Sequence, residues 1–141
     1  MKTSPIYLLL IFLFLASCQK ESPCNSYDIG EPIEVGLTKT ISFCKEPFTI
    51  TFSKIISDSR CPENVVCIWQ GLAEVEILVN LNGREKSFLL STYPPFNNIP
   101  SEVNFGDYTF VLVNVLPYPN TTKSYREKDY SIQLLVEKTG E

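Results

Sequence analysis

Hydrophobic and polar residues alternate along most of this chain with a period of two, and no long run carries the period of a helix. Ala73, Val75, Ile77, Val79 and Leu81 alternate with Glu74, Glu76, Leu78 and Asn80, which predicts a strand with one buried face. Asn82-Gly83 follows, and both residues tolerate the positive φ of a two-residue hairpin turn. That turn pairs Leu81 with Arg84, Val79 with Lys86, Ile77 with Phe88 and Val75 with Leu90. Paired residues share a face, so the turn and the hydrophobic pattern predict the same register independently.

Other segments repeat the pattern. Glu34 to Phe43 reads as one strand with Val35, Leu37, Ile41 and Phe43 in phase and Lys39 as the exception. Phe48 to Ser57 is a second, with Phe48, Ile50 and Phe52 in phase until Lys54, where consecutive Ile55 and Ile56 predict a bulge. Thr92 to Asp107 holds Pro94, Pro95 and Pro100 and reads as an irregular connection. Tyr108 to Leu116 is apolar on both faces, which predicts a strand covered on both sides. Tyr130, Ile132, Leu134 and Val136 alternate with polar neighbours in a last strand. Six to seven short strands separated by turns predict an all-β fold. The expectation is an antiparallel β-sandwich, immunoglobulin-like, or a small barrel. Gly106-Asp107-Tyr108 is a candidate tyrosine corner, which would go with Greek-key connections.

The N-terminus adds a compartment. Lys2 precedes an uncharged run, Ile6 to Leu15, that is too short to span a bilayer and fits the apolar region of a signal peptide. Leu15-Ala16-Ser17-Cys18 resembles the bacterial lipobox, which implies cleavage before Cys18 and acylation of that residue. Several acyl chains hold a protein to a membrane where one would hold it only marginally. Gln19-Lys20-Glu21 resembles the export signal of Bacteroidota surface lipoproteins. The expected organisation is a signal peptide at 1–17, a lipidated tether at 18–32 and a β-sandwich at 33–141, on the periplasmic or cell-surface side of an outer membrane.

Composition then removes chemistry. Histidine is absent, which excludes Ser-His-Asp and Cys-His catalysis in their usual forms and every imidazole-dependent zinc site. Losing Lys2 with the signal peptide takes the formal net charge from −4 to −5, the wrong sign for a nucleic-acid footprint. With Cys18 acylated, Cys24, Cys44, Cys61 and Cys67 remain, and an even number in an exported domain predicts two disulfides. Of the three pairings, Cys61–Cys67 is favoured by proximity and Cys24–Cys44 follows by elimination. The longer bridge would contribute on the order of 3 kcal/mol in the chain-entropy model. Four thiolates on a metal are the alternative, but the spacing lacks the paired knuckles that zinc prefers, and no cofactor is expected.

The stretch from Arg60 to Gly71, RCPENVVCIWQG, carries the least ordinary chemistry. It matches the form RCP-x2-V-x-C-x-W-x-G at Arg60, Cys61, Pro62, Val65, Cys67, Trp69 and Gly71, and so resembles small lipoproteins of Bacteroidota. The resemblance implies membership of a group and no activity. Read from its residues, the stretch is a folding device. The two cysteines close a loop, Pro62 sets its start, Gly71 permits an unusual turn, and Arg60 and Trp69 pack it down. The functional alternative turns Arg60, Trp69 and Gln70 toward a ligand, with Tyr93, Phe96, Tyr118 and Tyr125 as an aromatic rim.

Three functions are compatible with these features. The first is a non-catalytic binding or accessory module for a protein or glycan, with Arg60, Trp69, Tyr93 and Tyr118 as candidate contacts. The second is an inhibitor of exported proteases, built on the disulfide loop. The third is a small carboxylate-based hydrolase, which requires Glu74 or Glu76 in a cleft with a raised pKa.

Overall fold

The computed structural model describes residues 24, 27–93 and 98–140. The signal peptide, Cys18, Gln19-Lys20-Glu21 and Phe96 lie outside them. Two antiparallel four-stranded sheets face each other and do not close into a barrel. The strands are β1 (Ile33–Gly36), β2 (Thr40–Ser42), β3 (Phe48–Asp58), β4 (Ala73–Leu81), β5 (Arg84–Ser91), β6 (Glu102–Phe105), β7 (Tyr108–Leu116) and β8 (Ser131–Lys138). One sheet runs β1-β8-β7-β6 and the other β2-β3-β4-β5. Each is a set of consecutive hairpins, with β1 added beside β8.

The inward faces are those of the alternation. Phe48, Ile50 and Phe52 of β3 and Val75, Ile77 and Val79 of β4 meet Phe110, Leu112 and Val115 of β7 and Ile132, Leu134 and Val136 of β8. Removing these side chains from water is the main favourable term in forming the sandwich. The β4–β5 hairpin has the expected register from Leu81↔Arg84 to Val75↔Leu90, and Asn82 and Gly83 both have positive φ. β3 shifts register between Phe52 and Lys54 and again between Ile55 and Ser57, where the consecutive isoleucines predicted a bulge.

Eight strands replace the six or seven expected, for two local reasons. The segment from Glu34 to Phe43 is two strands in different sheets. Thr38 takes φ 61°, the Lys39 amide closes a turn onto the Gly36 carbonyl, and the chain crosses from β1 to β2. Lys39 broke the alternation because the break is the crossing. Inside the supposed irregular connection, Glu102–Phe105 pairs with β7 across a Gly106-Asp107 turn. The tyrosine corner is absent. The Tyr108 hydroxyl instead donates to Glu46 Oε2 at 2.6 Å, across to the neighbouring sheet.

β7 differs from its expected two-sided burial. Its register shifts between Leu112 and Asn114, so Val113 falls at a bulge and turns outward while Val115 returns to the core. The apolar residues on both faces reflect this change of phase, because Val113 is 49% exposed.

The sandwich has two ends. At one lie the β3–β4 connection, the end of β7 and the start of β8. At the other lie the β4–β5 turn, Tyr108, Glu46 and the segment that leads into β1. That leading segment is fastened by Cys24–Cys44, by the Gly30 amide on the Val136 carbonyl at 2.8 Å, and by Tyr27 packed on Phe43. The burial and hydrogen bonding of Tyr108 give a testable pH dependence. The bond to Glu46, followed by burial, pushes its pKa from 10.0 up to about 12. The protonated phenol is favoured by folding, so this contribution is complete below pH 10 and is lost as pH rises toward about 12. Chemical denaturation across that range should show an alkaline decline that is diminished in Tyr108→Phe. An identical decline in the variant would assign it to other groups.

Candidate functional site

The site grows from the end of β3. Asp58 closes the strand, and Arg60 turns inward immediately after it. Arg60 is 6% exposed and every nitrogen of its guanidinium makes a hydrogen bond. Nε donates to Asp58 Oδ1 at 2.8 Å and Nη2 to Asp58 Oδ2 at 2.7 Å, a two-point ion pair within three residues of chain. Nη1 donates to the Val115 carbonyl at 2.6 Å and Nη2 also to the Pro117 carbonyl at 3.0 Å, both in the opposite sheet or just beyond it. The Tyr118 ring covers the guanidinium, with Cζ 4.6 Å from the ring centroid. Tyr130 completes the cluster by donating to Asp58 Oδ2 at 3.3 Å. Burial first, and then the Asp58 charge, raise the Tyr130 pKa and keep the hydroxyl protonated as a donor. Only arginine carries enough donors in this fork geometry to satisfy one carboxylate and two carbonyls at once.

Above this staple the chain makes the cysteine loop. Its base is a short ladder. The Ser59 amide donates to the Leu72 carbonyl and the Cys61 amide to the Gln70 carbonyl, each at 2.8 Å. Gly71 sits in that ladder at φ +67°, and a Cβ there would fall 1.9 Å from the Ser59 carbonyl oxygen. No other residue fits. Cys61 and Cys67 are joined with Cα atoms 5.9 Å apart, and the Val65 amide bonds to the Pro62 carbonyl inside the ring. A second brace comes from the loop after β7. The Glu63 amide bonds to the Pro119 carbonyl, Asn120 donates to Glu63, and Asn64 exchanges two bonds with Thr121.

The sequence-level candidates therefore separate. Arg60 packs as the staple and also lines part of the wall of the cleft described below. Tyr118 has one face committed to Arg60. Trp69 does not pack into the core. It is 46% exposed and meets Tyr93, 47% exposed, edge to face at 6.4 Å. Cys24, Cys44, Cys61 and Cys67 form the two expected disulfides. Tyr125 is partly buried and stands two residues before the 3-10 turn Glu127–Asp129.

Sequence reasoning missed what the loop exposes. Val66 and Ile68 are fully exposed, and Val65 is 44% exposed beside them. Trp69, Tyr93 and the bulged Val113 are further exposed apolar side chains at this end of the sandwich. A shallow cleft of about 160 Å³ lies at this end, lined by Arg60, Gln70, Gly71, Thr92, Tyr93, Val113, Asn114 and Tyr118. The signal was present as the run Val65-Val66-Cys67-Ile68-Trp69, which lacks the alternation of the strands and carries no charge.

The carboxylates do not assemble in this cleft. Glu74 and Glu76 lie on the outer face of β4. Glu74 accepts from Ser57 at 2.8 Å, and Glu76 accepts from Ser87 and pairs with Lys54 at 3.1 Å. The Ser87 bond first, and then Lys54, lower the Glu76 pKa, opposite to the raised value that a general acid requires. Among the described residues no group of histidine, cysteine, aspartate and glutamate side chains is placed to hold a metal ion.

Substitutions should separate the staple from the tip. Asp58→Asn or Arg60→Ala leaves a buried charge or carbonyls without a partner and should cost about 3 kcal/mol. Gly71→Ala should cost about 2 kcal/mol or more through strain and collision. Val66→Asp and Ile68→Asp, at exposed positions, should change stability by no more than about 0.5 kcal/mol. Urea denaturation measures all five. Equal costs at Arg60 and Ile68 would contradict the division between buried staple and free tip.

Comparison of the chain with family models finds no match, and neither characterised proteins nor solved structures include a match to it.

Proposed function

We propose that this chain is a lipid-anchored binding module of the bacterial cell envelope, acting without catalysis through the loop end of its sandwich. The observation that carries the reading is the exposure of Val65, Val66, Ile68 and Trp69 in a loop that a disulfide, a buried ion pair and a neighbouring loop hold in place. Large apolar side chains exposed together on a rigid frame are characteristic of interaction sites. Rigidity matters because side chains already ordered lose little freedom on binding.

The anchor is the acylated Cys18 of the lipobox-like run, placing the domain on an outer membrane. The Gln19-Lys20-Glu21 tether favours its cell-surface side. The two disulfides support an oxidising, extracytoplasmic compartment. The RCP-x2-V-x-C-x-W-x-G stretch supports kinship with small Bacteroidota lipoproteins. Its positions divide between the Arg60 staple, the Gly71 ladder and the Trp69 tip. The partner is a protein or a glycan, with Tyr93 and Tyr118 available as flat faces for the latter.

Site-specific photocrosslinking in the intact lipoprotein tests this reading. A photoreactive residue at Ile68 or Tyr93 should give an adduct of defined mass, and one at Leu89, exposed on the sheet face, should not. The adduct from Tyr93 should disappear in Val66→Asp/Ile68→Asp. Cys18→Ala should release the protein from the membrane fraction. Adducts of equal yield from Leu89, or none from the loop end, would overturn the binding reading.

A further inference from the structure

The cysteine loop offers a short run of chain to a cleft, not a general apolar patch. Val66 and Ile68 project fully into solvent on either side of Cys67. Among the described residues, the backbone groups of Val66, Cys67 and Ile68 make no hydrogen bond within the chain. A short run with free backbone donors and acceptors and exposed aliphatic side chains is what an acceptor cleft pairs with and reads. From Cys61 to Gln70 the single charged side chain is Glu63, and it is turned aside onto Asn120. The surface that receives the tip is therefore concave, apolar and uncharged at its centre.

The orientation of the domain bears on what that surface is. The chain reaches β1 at the end opposite the cysteine loop, and Cys24–Cys44 fastens it there. With Cys18 in the membrane, the six residues to Cys24 span at most about 20 Å. The nine-residue strands β4 and β7 place the tip about 30 Å beyond that attachment. An anchored domain standing on its tether presents Val66 and Ile68 away from its own membrane. The occupant is a separate protein.

We propose that this loop occupies the substrate cleft of an exported serine endopeptidase whose primary pocket takes small aliphatic residues. Val66 fills that pocket and Val66–Cys67 is the bond presented to the nucleophile. This assignment rests on the binding reading above and names its partner. The ring explains why presentation ends in inhibition instead of digestion. Attack of the enzyme's serine hydroxyl on the Val66 carbonyl would form an acyl ester and release the Cys67 amine, which takes the proton. That amine cannot diffuse away, because Cys67 Sγ remains bonded to Cys61 and Gln70 remains in the ladder at the loop base. Held beside the ester, it attacks again, reforms the peptide bond and returns the serine hydroxyl. A tethered nucleophile at high effective concentration outcompetes water. The second brace, from Glu63 and Asn64 to the 119–121 segment, keeps the other side of the ring from unravelling.

The test uses the acylated full-length protein in detergent, an elastase-type serine endopeptidase and a trypsin-type one as the control, with chromogenic peptide substrates. The expected result is inhibition of the elastase-type enzyme at micromolar concentration or below and none of the trypsin-type enzyme. Val66→Asp should weaken inhibition about 30-fold or more, as loss of a pocket-filling contact does. Val66→Arg should transfer inhibition to the trypsin-type enzyme, a gain that a folding defect cannot produce. Cys61→Ser/Cys67→Ser should convert the loop from inhibitor to substrate, with a cut between Pro62 and Ile68 found by mass spectrometry. Absence of inhibition at 10-fold molar excess, or inhibition that Val66→Asp and Val66→Arg leave unchanged, overturns the proposal. A crosslink from Ile68 to lipid or to a second copy of this chain overturns it as well. If inhibition fails while the Ile68 adduct persists and is lost in Val66→Asp/Ile68→Asp, the binding reading survives and the protease assignment falls. If no adduct forms, both fall.

Discussion

The buried pair between Arg60 and Asp58 is the constraint on which the loop end depends. One guanidinium ties the end of β3 to carbonyls at the end of β7, so a single side chain spans the two sheets. Burying both charges has a solvation cost that the ion pair alone does not reliably recover. Here each guanidinium nitrogen makes at least one hydrogen bond, the Tyr118 ring covers the cation, and Tyr130 adds a bond to the carboxylate. The arrangement is better understood as a positional lock than as a source of net stability. An apolar residue at position 60 could fill the same space without specifying where Val115 and Pro117 sit. The lock fixes the base from which the cysteine loop rises and the segment against which it leans.

The second constraint is steric. Gly71 occupies a point where the ladder between Ser59 and Leu72 passes too close for any side chain. Staple and ladder together convert a ten-residue excursion into a rigid projection, and the Cys61–Cys67 bond completes it. Its stiffness arises from different kinds of interaction acting on successive residues, so weakening one leaves the others in place. Exposed Val66 and Ile68 are tolerated on such a frame because the folded loop has no alternative packing that would bury them. A flexible loop of the same composition would collapse onto the adjacent apolar surface.

Much of the fold was legible because its signals are local. The β4–β5 hairpin was specified twice, by Asn82-Gly83 and by alternation, and the two agreed. The bulge near Ile55 and Ile56 announced itself as a broken phase. The crossing at Thr38 was equally visible in Lys39, but a broken phase does not say whether a strand bulges or changes sheets. That depends on the partner, which is distant in sequence. β6 was hidden for the same reason: Glu102–Phe105 is short and polar by strand standards, and its identity comes from pairing with β7. In β7 the bulge was read as burial on both faces, because a phase shift and a two-sided core produce the same apolar run.

The site was legible in its residues and not in their directions. Arg60 and Trp69 stand nine positions apart in one motif, yet one is buried and the other projects. Charge and size do not predict this. The determining features are the carbonyls of Val115 and Pro117, more than fifty residues away, which make a pocket for a five-donor cation and none for an indole. The same distance effect explains why the exposed tip went unseen: Val66 and Ile68 are residues that usually seek a core. Their exposure follows from a frame assembled from the loops after β3 and β7 and the end of β5. The motif therefore divides in two: its arginine, cysteines and glycine build the frame, and Val66 and Ile68 between them are left exposed on it.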